Sequence, residues 1–184
     1  MAKAPRKLDS NRLLSLTAML ISLLTLIIFV YQTNLLRKQN FISILPYLSV
    51  DTSNDIGNQQ YRVDLTNNGV GPAIMERVRF RYNDTWYDLA DFDHSLFSFL
   101  IERAPALDTL SSTSYSLVEP GRAITARTTY NLLTVKGSDA GRELIARTLE
   151  RLISEGMEYE IIYRSIQDER WKITTADFSP VRID

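Results

Sequence analysis

The sequence predicts an N-terminal transmembrane α-helix followed by a mainly-β domain, an antiparallel immunoglobulin-like β-sandwich with one or two inserted helices. Three observations predict it. An uncharged apolar run occupies residues 13–36, short alternating segments bounded by turn residues fill most of residues 45–184, and two stretches in that second region carry helical spacing instead.

The first segment, residues 1–11, is basic. Lys3, Arg6, Lys7, Arg12, Arg37 and Lys38 stand against Asp9 in residues 1–44, a net +5, so the rest of this chain of net charge −1 carries −6. Opposite charge at the two ends implies different surroundings for each. An acidic domain also makes a poor general nucleic-acid binder, because phosphate neutralisation needs excess Lys and Arg. The chain has no cysteine, which removes disulfides, thiolate metal sites and thiol nucleophiles together.

Residues 12–40 are expected to form a single transmembrane helix and its extension, capped at Asp9 or Ser10. "LLSLTAMLISLLTLIIFVY" is nineteen residues, roughly 28 Å of helix at about 1.5 Å per residue, and so matches a hydrocarbon core. Its Ser and Thr hydroxyls are tolerable because each can bond back to the preceding turn. The following "YQTNLLRKQN" lacks the small residues of a signal-cleavage site, which favours an uncleaved anchor. Four Lys and Arg precede the span and two follow it. The positive-inside rule then keeps the N-terminus cytoplasmic and exports the domain, with a cytoplasmic domain as the alternative. Ser15, Ala18 and Ser22 form a candidate helix-packing face for other membrane subunits.

Strands are expected in "YLSVDTS", "YRVDLTN", "VRFRYND", "TWYDL", "STSYSLVE" and "ITARTTYNLLTV", with a late hairpin of "MEYEIIYRSI" and "WKITTADF" across "QDER". Helices are expected near 91–103, where Phe92, Leu96, Phe99 and Leu100 share a face, and near 139–155. In the second, Leu144, Ile145, Leu149, Leu152 and Ile153 form a stripe, Glu143 and Arg147 stand four apart, and Gly156 can close the end.

The stretch "LTNNGVGPAIMERVRFRYND" holds the candidate interaction residues Asn68, Gly69, Gly71, Arg77, Arg79 and Arg81. Asn67-Asn68-Gly69 accepts the positive φ of a tight hairpin between two strands of one sheet; a Gly-rich loop can alternatively cradle an anion with its N–H groups. The arginines alternate on one strand face, ready for a phosphate, a lipid head group or an acidic partner, or for cross-strand pairing with Glu158 and Glu160. Asp88, Asp91, Asp93 and His94, the one histidine, are better placed as helix-start acids than as a metal site, and no serine sits in a nucleophile elbow. No catalytic, cofactor or metal-ligating set emerges. The glycosylation pattern Asn83-Asp84-Thr85 is one that recurs often at random.

"QTNLLRKQNFISILPYLSV" followed by "YRVDLTNNGVGPAIMERVRFRY", with the late "YEIIYRSIQDERW", resembles a family of small bacterial membrane-anchored proteins. That family has an N-terminal helix, a "Q…S…PYL" join, an "N-x-G-x-GPA-I" hairpin and a closing "I-x-Y-x-S" hairpin. The resemblance covers about two-thirds of the chain and implies a bacterial inner-membrane source and a β-rich domain, with no activity and no catalytic residues. The expected function is a non-catalytic, membrane-anchored interaction module, an accessory or scaffolding subunit whose partners are the lipid bilayer and other membrane subunits. A tethered sensor that binds a small anion through the loop and the arginines is the alternative.

Overall fold

The structure is a computed structural model that describes residues 10–42, 44–177 and 179–183. Most of the basic segment 1–11, with Asp9 as a helix cap, lies outside the described residues. The chain divides into two units, residues 1–43 and 44–184.

The first unit is one helix, α1 (Ser10–Ile42), 33 residues without Gly or Pro. Its hydroxyls behave as a lipid-compatible helix requires. Ser15, Thr17, Ser22, Thr25 and Thr33 each donate to the carbonyl four residues back at 2.8–2.9 Å. Its apolar side chains, such as Leu14 and Phe29, face outward and exposed. By length and composition α1 is able to cross a membrane.

The second unit is built on two antiparallel sheets. One contains β1 (Leu48–Asp55), β2 (Gln60–Asn67), β5 (Thr113–Tyr115) and β7 (Thr128–Val135), in the order β1-β2-β7-β5. The other contains β3 (Ala73–Tyr82), β4 (Thr85–Asp88), β8 (Glu158–Arg164), β9 (Arg170–Thr174) and β10 (Val181–Arg182), in the order β10-β9-β8-β3-β4, with the short β6 (Ala123–Ile124) also on β3. Period-two alternation explains the core they share. Tyr61, Val63 and Leu65 of β2, Val78 and Phe80 of β3, and Ile161 and Tyr163 of β8 are buried in one cluster.

Two irregularities re-aim side chains. A bulge between Met75 and Arg77 lets both Met75 and Val78 point inward although they stand three positions apart, an odd spacing. A second bulge leaves Leu132 of β7 as the extra residue opposite Val63 and Asp64.

Three turns depart from the sequence reading. Asn67–Pro72 is not a hairpin within one sheet, since β2 and β3 belong to different sheets and the loop crosses between them. Neither Gly69 nor Gly71 has positive φ. The tight two-residue hairpin is instead Asn83-Asp84, with φ of 49° and 59°, joining β3 to β4 with Tyr82 opposite Thr85. The helix expected at 91–103 is divided. A 3-10 turn, Leu89–Phe92, ends at Asp93 and His94, both at positive φ, and α2 (Leu96–Arg103) restarts on the Ser95 side chain, which accepts from the Ser98 N–H at 3.2 Å.

The later helix, α3 (Asp139–Ser154), is capped by Ser138, which accepts from the Gly141 N–H, and Gly156 follows its end at φ 90°. Ile145, Leu149 and Leu152 are buried where α3 meets β2 and β7, while Ile153 stays exposed. Arg147 and Glu143 pair at 3.3 Å, one turn apart.

Candidate functional site

Asn67 is the centre of the glycine-rich loop. Its side chain is fully buried and uses its whole hydrogen-bonding capacity for the chain's own backbone. Oδ1 accepts from the N–H groups of Tyr47 at 3.2 Å and Gly69 at 3.0 Å; Nδ2 donates to the carbonyls of Gly71 at 2.9 Å and Ile124 at 3.0 Å. Around it the loop closes on residues 44–47. The Asn68 N–H donates to the Tyr47 carbonyl, and the Val70 and Gly71 N–H groups donate to the Leu45 carbonyl. A Cβ at Gly69 would overlap the backbone of Leu45 and Tyr47, and one at Gly71 the carbonyl of Ile44. The glycines are therefore required by close approach and not by φ. The N–H groups of residues 68–71 that could cradle an anion all serve this clasp, through the backbone or Asn67, with those of Val70 and Gly71 sharing one carbonyl.

The arginine stripe lies on the outer face of its sheet, each guanidinium against a carboxylate. Arg77 pairs with Asp88 at 2.6 Å, Arg79 with Glu160 directly across the ladder, and Arg81 with Asp84 at 2.6 Å and Glu158 at 3.3 Å. Trp86 stacks beneath Arg79 at 4.9 Å. Glu76 joins Arg164 and Arg170, and Lys172 also reaches Glu160. The face is a lattice of alternating charge that neutralises itself.

The acids near His94 do not converge. Asp88 caps the 3-10 turn by accepting from the Ala90 N–H, and among the described residues no group of three His, Asp or Glu side chains could hold a metal ion. Although desolvation pushes the Asp88 carboxyl up, the Ala90 N–H and Arg77 hold it below its usual range. Ser15, Ala18 and Ser22 are exposed on α1, with the Ser22 hydroxyl bonded to the Ala18 carbonyl.

The feature that sequence reasoning missed is a cavity of about 300 Å³ between the two sheets. Val63 and Leu65 of β2, Leu132 of β7, and Val78, Phe80 and Ile161 of the facing sheet wall it. Leu89, Leu96 and Val118, all buried, also line it. Of the other lining residues, Thr52, Glu150 and Ile153 are exposed and Glu158 and Thr175 half-buried, which marks where the cavity meets solvent. Burial pushes the Tyr61 hydroxyl up; Thr52 bonds it and the Glu150 carboxylate adds to the rise. No local signal encodes this space, because its walls are brought together from five strands, the 3-10 turn, α2 and α3. No family model matches the chain, and no curated protein or solved structure matches it.

Proposed function

We propose that the protein is a non-catalytic, membrane-anchored interaction module, an accessory or scaffolding subunit of a bacterial inner-membrane complex. One observation carries this reading: an exposed apolar helix long enough to span a bilayer ends at Ile42, and the domain's clasp begins at Ile44 and Leu45. The two Cα-to-Cα steps from Ile42 to Ile44 reach at most about 7 Å. A short tether raises the local concentration of the domain beside neighbouring membrane proteins, so that a weak interface suffices. We also read the two sheets as an immunoglobulin-like sandwich. Support comes from the orders β1-β2-β7-β5 and β4-β3-β8-β9, which parallel strands A-B-E-D and C′-C-F-G of that fold.

Gentle extraction from the native membrane, native-size separation and identification of co-migrating proteins test the proposal. Stoichiometric co-migration with a larger membrane assembly is expected; migration as a lone species counts against it. The basic flank before the span favours an exported domain. Because the chain lacks cysteine, Gly57→Cys in the open β1–β2 turn offers a single thiol. A membrane-impermeant maleimide should label it from outside the inner membrane, and labelling only after lysis would place the domain in the cytoplasm. The alternative, an anion sensor using Asn68, Gly69, Gly71 and the arginines, is disfavoured because those donors already have partners within the chain.

A further inference from the structure

We propose that the cavity between the two sheets binds a single hydrocarbon chain of about ten to twelve carbons, with a neutral or cationic head at the acidic mouth. The site is separate from the accessory-subunit reading and stands or falls without it.

Size and shape set the chain length. The wall follows β2 from Tyr61 to Leu65, four residue steps or about 13 Å, which is the length of about ten extended carbons. At about 300 Å³ the cavity is roughly twice the apolar cavity of about 150 Å³ that accepts a benzene ring. Its inner wall of Val63, Leu65, Val78, Phe80, Leu132 and Ile161 offers no polar atom from a side chain, so it suits alkyl carbon and gives water nothing to bond.

The polar side chains of the lining, exposed or half-buried except for the buried Tyr61, set the head chemistry. Thr52, Tyr61 and Thr175 supply hydroxyls, and Glu150 and Glu158 supply carboxylates. Glu158 shares its charge with Arg81 at 3.3 Å. A fatty acid would bring its carboxylate against Glu150, whereas an alcohol or amine head meets acceptors. Ile153, 55 % exposed on the last turn of α3, extends the apolar wall to the entrance.

The full chain in phosphatidylcholine nanodiscs provides the test, using two photoreactive probes with a diazirine near the chain end. One is a dodecylamine added from solution; the other is a phosphatidylcholine built into the disc. Cross-linked peptides are mapped, with α1 as the internal standard because it contacts lipid in the anchored state. Cross-links at β2, β3 or β7 residues of the cavity wall are expected. Labelling by the soluble amine alone identifies a free amphiphile, and labelling by the phospholipid identifies a bilayer tail; either supports the site. Unlabelled amines should compete about fourfold better per added methylene and level off near ten to twelve carbons. Leu132→Trp or the milder Val63→Phe should lower domain labelling at least tenfold while labelling of α1 and the thermal midpoint hold. Cross-links confined to α1 with both probes in the wild-type chain would overturn the proposal, and so would domain labelling that ignores chain length.

Discussion

Asn67 shows how one side chain can decide a connection. Its four hydrogen bonds reach three backbone segments, at Tyr47, at Gly69 and Gly71 within its own loop, and at Ile124; Gly69, Gly71 and Ile124 are buried with it. Asn67→Ala strands two N–H groups and two carbonyls at once. At about 1–3 kcal/mol per buried unsatisfied group, offset by water entering the opened loop, a net loss of about 3 kcal/mol is expected. The thermal midpoint of the domain should fall by roughly 6–12 °C. Asn67→Asp keeps both acceptor contacts but turns a carboxylate toward the Gly71 and Ile124 carbonyls, so it should be no better tolerated. A loss under about 1 kcal/mol for the alanine variant would mean that the clasp is not what holds residues 44–47. Asp88 carries the acid-sensitive prediction at this scale. Its folded pKa lies below the unfolded value, so its contribution is present above about pH 4 and is lost as pH falls through the folded value. Asp88→Asn should therefore cost stability at pH 6, with the gap to wild type closing as the pH falls below about 4 in midpoint measurements.

Elements were legible where a local pattern alone decides them. The uncharged run gave α1, strict alternation in "VRFRYND" gave β3 with its arginines outward, and the apolar stripe closed by Gly156 bounded α3 to within a residue. Pairing of Arg79 with Glu160 and of Arg81 with Glu158 was equally readable, since both strands alternate in step, whereas Arg77 pairs with Asp88 instead. What escaped depended on neighbours distant in sequence. Gly69 and Gly71 look like positive-φ residues until residues 44–47 are laid against them. The Asp93-His94 break has no glycine to announce it, and the cavity draws its walls from five strands and two helices. Gly71→Ala tests the first of these physically. Its Cβ has no room beside the Ile44 carbonyl, so the 44–47 segment must lift. Limited proteolysis should cut the variant faster between residues 43 and 48, while cleavage at the Asn83-Asp84 turn, remote from the clasp in the ladder, keeps its wild-type rate.

For the whole molecule, the two units make separable demands on the sequence. α1 satisfies its backbone internally and buries none of its apolar window within the chain, whereas residues 44–184 hold their own core and their own hydrogen-bond closure at Asn67. Inserting six Gly and Ser residues between Asn40 and Phe41 should therefore leave the domain's thermal midpoint unchanged, because the clasp starts downstream of the insertion. The function proposed for the tether predicts a different response. Lengthening the link enlarges the volume that the domain explores and lowers its effective concentration at a neighbouring subunit. Recovery of the co-migrating assembly should fall several-fold for the inserted chain at equal membrane abundance. Gly71→Ala also lengthens the free link, but it does so by opening the clasp and should lose stability and assembly together. Equal recovery for wild type and insertion, at equal stability, would show that reach does not matter to the partner; the interface would then have to lie on α1, where Ser15, Ala18 and Ser22 face outward.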